Sequence, residues 1–253
     1  MTEADRQEQI LALVHQRGFV SIDAMAEHFS VTPQTVRRDV NRLCAKSLLR
    51  RYHGGAGLPS GIENSAYQAR QVMQLAEKKR IAHAVAAEIP DGSSIFLTIG
   101  TTTEQVARAL LNHRALKVIT NNLHAANILA ENADFEVLVA GGVMNNRERG
   151  LVGEATVEFV GQFKTDYCIV GVGGIDGDGT LLDFDVREVR VSQAMMQHAR
   201  QTIVAADYSK FGRNAMARLG RLEEAQLLVT DRAPPPALKA LIKRGKTRLL
   251  LAR

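Results

Sequence analysis

The stretch VTPQTVRRDVNRLCAKSLLRRYHGG, Val31 to Gly55, decides how the front of this chain is read. Thr32 followed by Pro33 is a helix start: the threonine hydroxyl accepts from an orphan amide, and proline at the first helical position gives up an amide that has no partner anyway. Val36, Val40 and Leu43 then fall at i, i+4 and i+7 on one buried stripe, which turns Gln34, Thr35, Arg37, Arg38 and Asn41 outward or to its margins. Arginine and glutamine read guanine and adenine edges with paired hydrogen bonds, and threonine meets a phosphate or a thymine methyl. From Arg37 to Arg51 six basic residues (Arg37, Arg38, Arg42, Lys46, Arg50, Arg51) stand against one acid, Asp39, so the segment also carries phosphate-seeking charge.

What flanks this helix completes a motif. Ile22, Met25, Ala26 and Phe29 repeat at helical spacing behind Ser21, a good N-cap, and predict a short amphipathic helix followed by a turn over Ser30 to Thr32. A helix over about Glu3 to Arg17, stopped by Gly18, adds Ile10, Leu13 and Val14 to the same small core. Beyond Lys46, Leu48 to Tyr52 is predicted as a strand and His53, Gly54 and Gly55 as a hairpin turn, a wing that adds Arg50, Arg51 and His53 to the candidate DNA contacts. Helix, tight turn and basic second helix is the helix-turn-helix arrangement, whose second helix enters the major groove. A basic amphipathic pair alone is more often a solvated surface. It is the turn, the capped basic helix led by Thr32 and the basic Gly-Gly hairpin together that point to double-stranded DNA.

At 253 residues and 45% hydrophobic content the chain is long enough for one small and one medium domain. A net charge of +5 and a pI near 9.4 favour an acidic partner without identifying one. The N-terminus is polar and acidic from its third residue, and no apolar run approaches the roughly 18 residues of a membrane span, so a soluble cytoplasmic protein is expected. Cys44 and Cys168 fall on predicted buried faces far apart in sequence, as reduced core thiols do, and the seven histidines show no ligand spacing. Neither a metal site nor a cofactor is expected.

From Gly57 to about Leu75 periodicity fades and Gly, Pro, Ser and Asn gather, which places a linker at 58–75 between a domain of residues 1–57 and one of 76–253. After a helix-like EKKRIAHAVAAEI ending at Pro90, apolar runs alternate with amphipathic segments: SIFLTI (Ser94 to Ile99), LKVIT (Leu116 to Thr120), FEVLVA (Phe135 to Ala140), YCIVGV (Tyr167 to Val172), QTIVAA (Gln201 to Ala206), QLLVT (Gln226 to Thr230) and TRLLL (Thr247 to Leu251). Strands alternating with helices imply an α/β domain with a mostly parallel sheet covered on both faces.

Polar residues end the runs: Gly100, Thr101, Thr102 and Thr103, then Asn121 and Asn122, then Gly141 and Gly142, then Gly173 to Asp176, then Asp207 with Ser209 and Lys210. The carboxyl ends of parallel strands face one side, so these residues should line one crevice. Gly100 to Thr103 suits a phosphate, because glycine lets the backbone approach and the amides of the next helix favour an anion, with Lys210 as a point charge. The segment is neither a Walker sequence nor a dinucleotide fingerprint. In the acidic loop GDGTLLDFDVREV, Asp176, Asp183, Asp185 and Glu188 either accept polyol hydroxyls or cap the next helix; the sequence leaves both open.

SVTPQTVRRDVNRLCAKSLLRRYHGGA resembles the winged-helix signature of the DeoR family of bacterial transcriptional regulators, and GTTT, TNN, AGG, GVGGID and DYSKFG resemble that family's effector domain. The resemblance implies a fold similar to ribose-5-phosphate isomerase and glucosamine-phosphate deaminase. GVGGIDGDGTLLDFDVREV, DYSKFGRNAM and the proline run after Thr230 narrow it to members that answer to a small phosphorylated polyol or sugar, with glycerol 3-phosphate as the implied inducer. The family usually has an aspartate two residues before the glycine of GTT, where this chain has Thr98. The implied protein is a repressor that binds its operator as a homo-oligomer, a dimer or tetramer, and has no catalytic residues. Two alternatives stay open: a sugar-phosphate isomerase with an appended domain, using Asp183, Glu188 and Lys210, and an activator built from the same parts.

Overall fold

The N-terminal helices form where their caps place them. In a computed structural model, which describes residues 3–17, 19–52, 54–57 and 67–253, the first unit spans Met1–Met73 and contains α1 (Glu3–Arg17), β1 (Phe19–Ser21), α2 (Ile22–His28), α3 (Pro33–Ala45), β2 (Arg50–Tyr52), β3 (Gly55–Gly57) and α4 (Tyr67–Val72). The Ser21 hydroxyl accepts from the Ala24 amide at 3.1 Å and the Thr32 hydroxyl from the Thr35 amide at 3.2 Å. Ile10, Val14, Met25, Val36, Val40 and Leu43 are all buried in one core. The predicted three-helix core is therefore present.

The wing differs from its sequence reading. Its strand starts at Arg50, not Leu48, because the Leu48 amide returns to the Leu43 carbonyl at 2.9 Å and closes α3 behind a left-handed Ser47 (φ 56°). Gly55 lies in the returning strand, not in the turn, and β3 pairs antiparallel with both β2 and β1. His53 and residues 58–66, where a candidate DNA contact and half of the predicted linker fall, lie outside the described residues. Residues 67–72, also read as linker, form α4.

The second unit, Gln74–Arg253, contains α5 (Leu75–Ala86), β4 (Ser94–Leu97), α6 (Thr101–Leu110), β5 (Lys117–Thr120), α7 (Leu123–Leu129), β6 (Glu136–Val139), β7 (Val143–Asn145), β8 (Gly150–Val152), α8 (Glu154–Gly161), β9 (Thr165–Val170), β10 (Gly174–Ile175), β11 (Thr180–Asp183), α9 (Val186–Gln197), β12 (Ala199–Ala205), β13 (Ala217–Arg221), β14 (Leu227–Thr230), α10 (Pro236–Arg244) and β15 (Arg248–Leu251). All seven apolar runs became strands of one parallel sheet in the order β15-β14-β12-β9-β4-β5-β6. Side chains alternate between its faces, as the strand period requires. Ile95, Leu97, Ile169, Ile203 and Val229 pack with α5, α6 and α7, whereas Phe96, Cys168, Val170, Val204 and Leu228 pack with α9 and α10. Cys168 is fully buried and its thiol is pushed far up by desolvation; Cys44 is only half-buried, less than its sequence position implied.

Two small antiparallel sheets were not legible in the sequence: the β7-β8 hairpin and β10-β11-β13. The acidic stretch read as a loop supplies β11 and the start of α9 instead, and Asp185 takes the capping role by accepting from the Arg187 amide at 2.8 Å. Among the described residues no helix is long and apolar enough to cross a membrane, and no cluster of three metal-ligating side chains occurs.

The second helix of the DNA motif is also fixed electrostatically. Asp39 is 1% exposed on the side of α3 facing α1, where its carboxylate accepts from Arg6 Nε at 2.6 Å and Gln7 Nε2 at 3.4 Å. Breaking a buried ion pair from one side leaves an uncompensated charge, which costs about 3 to 5 kcal/mol, while replacing both partners by apolar groups is far cheaper. Arg6→Met should therefore accelerate hydrogen exchange of the α3 amides strongly, and Arg6→Met combined with Asp39→Leu should recover most of the protection. Equal exchange in wild type and the single variant would show that the pair does not hold the helix.

Candidate functional site

On α3 the stripe Val36, Val40, Leu43 is turned in, and Gln34, Arg37, Arg38 and Asn41 are exposed together with Thr32 at the cap. Thr35 is half-buried, and its hydroxyl shares a 2.9 Å hydrogen bond with that of Thr32. Arg42 pairs with Glu3 of α1, whereas among the described residues Arg37 and Arg38 have no ion-pair partner. Arg50 and Arg51 are exposed on the wing, and Arg51 Nη1 donates to Asn41 Oδ1 at 3.2 Å, so wing and helix share one polar surface. It presents four arginines, a glutamine and an asparagine, the side chain types that read base edges in pairs.

In the second unit the sheet order sets the place of the crevice. The chain runs from β4 out to β5 and β6, then returns to β9 on the other side of β4. The carboxyl ends of β4 and β9 are therefore the topological switch point, where the next connections leave in opposite directions. At this point the Thr98 hydroxyl accepts from the Gly171 amide at 3.3 Å, and the Thr103 hydroxyl donates to the carbonyls of Thr98 and Gly100, each at 2.8 Å. Thr103 thus shapes the turn from inside. Gly100 precedes α6 with φ 148° and ψ 152°, a conformation that suits glycine, and no side chain caps the helix. Its leading amides, at the carboxyl end of β4, thus lack the side-chain acceptor that such ends usually have.

A lysine not singled out in the sequence stands at this end. Lys78, on α5, is 4% exposed and donates from Nζ to the Thr101 hydroxyl at 3.0 Å. Asp207, at the end of β12, is also buried. Burial alone would raise its carboxyl, but Lys210, the Ser209 hydroxyl and Lys78 together outweigh that and hold it below the usual carboxylate range. Thr101, Lys78, Asp207 and Lys210 therefore belong to one group, with Glu104 buried one turn along α6.

A second polar group forms where the unpredicted β7-β8 hairpin meets the strand ends. Leu151 and Asn121 exchange two hydrogen bonds of 2.8 Å, Gly150 bridges to Asn122, and a β-carbon on Gly150 would lie 2.1 Å from Ile99 Cδ1. Gly150 also pairs with Asn145, whose Nδ2 donates to Glu188 Oε1 at 2.6 Å and to Asp185 Oδ2 at 3.3 Å. Asn121 is buried with its Oδ1 lacking a partner, an open acceptor. Asn122 caps α7 through Oδ1, leaving its Nδ2 unpartnered.

Not every candidate converges. Asp183 lies against Gly173, 2.9 Å from where a β-carbon there would sit, and so meets the end of β9. Asp176 is exposed in the β10-β11 turn and accepts from the Gly177 amide at 2.7 Å. Gly142 has a packing reason: φ is 150°, and a β-carbon would lie 2.1 Å from Thr156 Oγ1, whose hydroxyl donates to the Gly141 carbonyl at 2.7 Å. Of the residues missed, Lys78 left a signal, since it shares the helical stripe of Ile81, Ala82 and Val85, an unusual place for a lysine. Asn145 left none.

Comparison with known proteins follows the same division. The description DeoR-like helix-turn-helix domain matches residues 6–61, and DeoR C terminal sensor domain matches residues 73–232. The chain is 48% identical over 236 residues to the glycerol-3-phosphate regulon repressor of Escherichia coli (strain K12), covering 93% of each protein. It is 45% identical over 251 residues to the HTH-type transcriptional repressor CsqR of the same organism, covering 99% of this chain and 96% of that one. Among solved structures, ribose 5 phosphate isomerase A from Neisseria gonorrhoeae aligns with a TM-score of 0.39 at 16% identity, over 56% of this chain and 55% of that one. By both of its matched domains and by these relatives, the chain belongs to the DeoR family of transcriptional regulators and is a regulator, not an enzyme.

Proposed function

We propose that this protein is a cytoplasmic repressor of glycerol 3-phosphate metabolism that leaves its operator when glycerol 3-phosphate, or a closely similar ester, occupies the second unit. Residues 1–57 then act as the DNA reader, 58–75 as the linker and 76–253 as the effector domain, and the working form is a homo-oligomer. The observation that carries the effector site is the uncapped N-terminus of α6 with the Lys78 ammonium on Thr101. A helix N-terminus already holds partial positive charge, and adding a buried ammonium there is favourable only beside negative charge. Asp207 and the buried Glu104 stand beside it, and a phosphate ester on the leading amides of α6 would be met by Lys78 and Lys210. The ester's hydroxyls would go to the open Asn121 acceptor and to Asp183 and Glu188. Similarity to the glycerol-3-phosphate regulon repressors supports the choice of ester.

For the DNA face, Arg37→Ala and Arg38→Ala should both weaken operator binding. A residue on phosphate should reduce the salt slope by about one unit, and a base reader should cost about 1 to 3 kcal/mol at one operator position. Gel-shift titration across salt separates the two roles, and wild-type affinity in both variants would remove α3 as the reading element.

For the effector site, Thr101→Val, Lys78→Met and Lys210→Ala should bind operator normally yet ignore inducer. Coupling is reciprocal, so an ester that lowers operator affinity 100-fold must bind the DNA-free form 100-fold more tightly, about 2.7 kcal/mol. Operator affinity measured with and without glycerol 3-phosphate tests both halves. No shift in the wild type means the ester is wrong; a full shift in the variants means the site is wrong.

A further inference from the structure

We propose that the groove between α8 and α9 is the contact through which two copies of this chain pair about a two-fold axis. This rests on the reading that the protein works as a homo-oligomer, and it adds the surface and the charge logic of the contact. The groove encloses about 440 Å3 and has walls of opposite sign. Glu154 and Glu158, one helical turn apart on α8, form one wall; Arg187 and Arg190, at i and i+3 on α9, form the other. All four are exposed, and among the described residues no ion pair crosses the groove from α8 to α9. Arg187 pairs along its own helix end with Asp185 at 2.6 Å. The floor is apolar where Val157 and Ala194 line it.

The surroundings are also those of a covered surface. Val186, at the start of α9, is 59% exposed, and Val143, on β7, is 64% exposed and lies against Gly153 at the groove's edge. Met144 beside it is exposed as well. Val143 and Val186 adjoin lining residues of the groove, and Asn145 of β7 is bonded to Glu188 and Asp185 of α9, so β7 is tied to α9 beside it.

The identity of the partner follows from the arrangement of charge. An isologous contact must be complementary to itself, since residue i meets residue j and residue j meets residue i. Helices α8 and α9 each lead into a strand of the same parallel sheet, β9 and β12, and therefore run the same way. A two-fold axis along the groove keeps that direction and lays the acidic helix of each copy over the basic helix of the other. Every acid then meets a base, twice over. A surface of one sign would exclude a second copy, and an uncharged one would leave its register unset.

The test uses charge reversal in the full chain. Glu154→Lys with Glu158→Lys makes both walls basic; Arg187→Glu with Arg190→Glu makes both acidic. Each double variant should fold with a wild-type melting profile and lose the pairing, with a dissociation constant raised at least about 100-fold by like charges face to face. Mixed together, the two variants should pair with one another, and a chain carrying all four changes should pair with itself. Sedimentation velocity of each sample, and native mass spectrometry of the mixture, read these states. A monomeric wild type overturns the oligomer reading itself. An oligomeric wild type whose double variants assemble as before, or whose mixture fails to pair, overturns this surface and leaves that reading standing.

Discussion

Parallel strands that are neighbours in a sheet must be joined by crossings over its faces, and a sheet that grows from its middle must reverse direction once. In this chain the reversal lies between β4 and β9, and the place of the crevice proposed for the effector follows from it. Because β4 is central, its carboxyl end is deep between neighbours, so the turn from Thr98 to Thr103 is held by hydrogen bonds to β9 and to itself. That rigidity is what leaves the amides of α6 aimed and uncapped, and what puts α5, packed on the same face as α6, in position to bring Lys78 to Thr101.

The electrostatic consequence is a site whose parts stabilise one another. A buried ammonium at a helix N-terminus is costly in isolation, and a buried carboxylate is costly in isolation; Lys78, Lys210 and Asp207 make each other affordable. Such a cluster responds to an added anion by redistributing partners. On the proposed reading, an anion bound there would change which side chains hold α5, α6 and the end of β12, elements that belong to the body of the sheet.

Legibility in the sequence tracked how far local signals decided the structure. The seven sheet strands were readable because strands buried on both faces are short continuous apolar runs. The DNA-reading helix was readable because Thr32 and Pro33 mark its start and the Val36, Val40, Leu43 stripe marks its inner face. The short pieces were not. β1, β7, β8 and β10 have two or three residues each, too few for a period, and their pairing is settled by what they land on. Those pieces decide much of the site, because the β7-β8 hairpin carries Asn145 to Glu188 and holds Asn121. Of the candidates taken from strand ends, Thr101 and Lys210 fall in the buried cluster with Asp207, whereas Gly142 has a packing role against Thr156; Lys78 and Asn145, which complete the two polar groups, were not among them.

The same geometry bears on why a regulator of this family, with a crevice of this kind, carries no carbon-acid chemistry. Carbon-acid chemistry needs a carboxylate that accepts a proton near neutral pH, and a general base works best when its pKa lies close to the working pH. Asp207 is driven the other way: Lys210, Ser209 and Lys78 hold it ionised and weakly basic. Glu188 accepts from Asn145 at 2.6 Å, which ties its carboxylate to the hairpin. At the end of β4, where the family pattern has an aspartate, Thr98 places a neutral hydroxyl that already accepts from Gly171. Asp207 is thus poorly suited to take up a proton, and the position where the family pattern has an acid holds a side chain that does not titrate. A binding site follows from that division, and the energy of binding is left for the operator equilibrium.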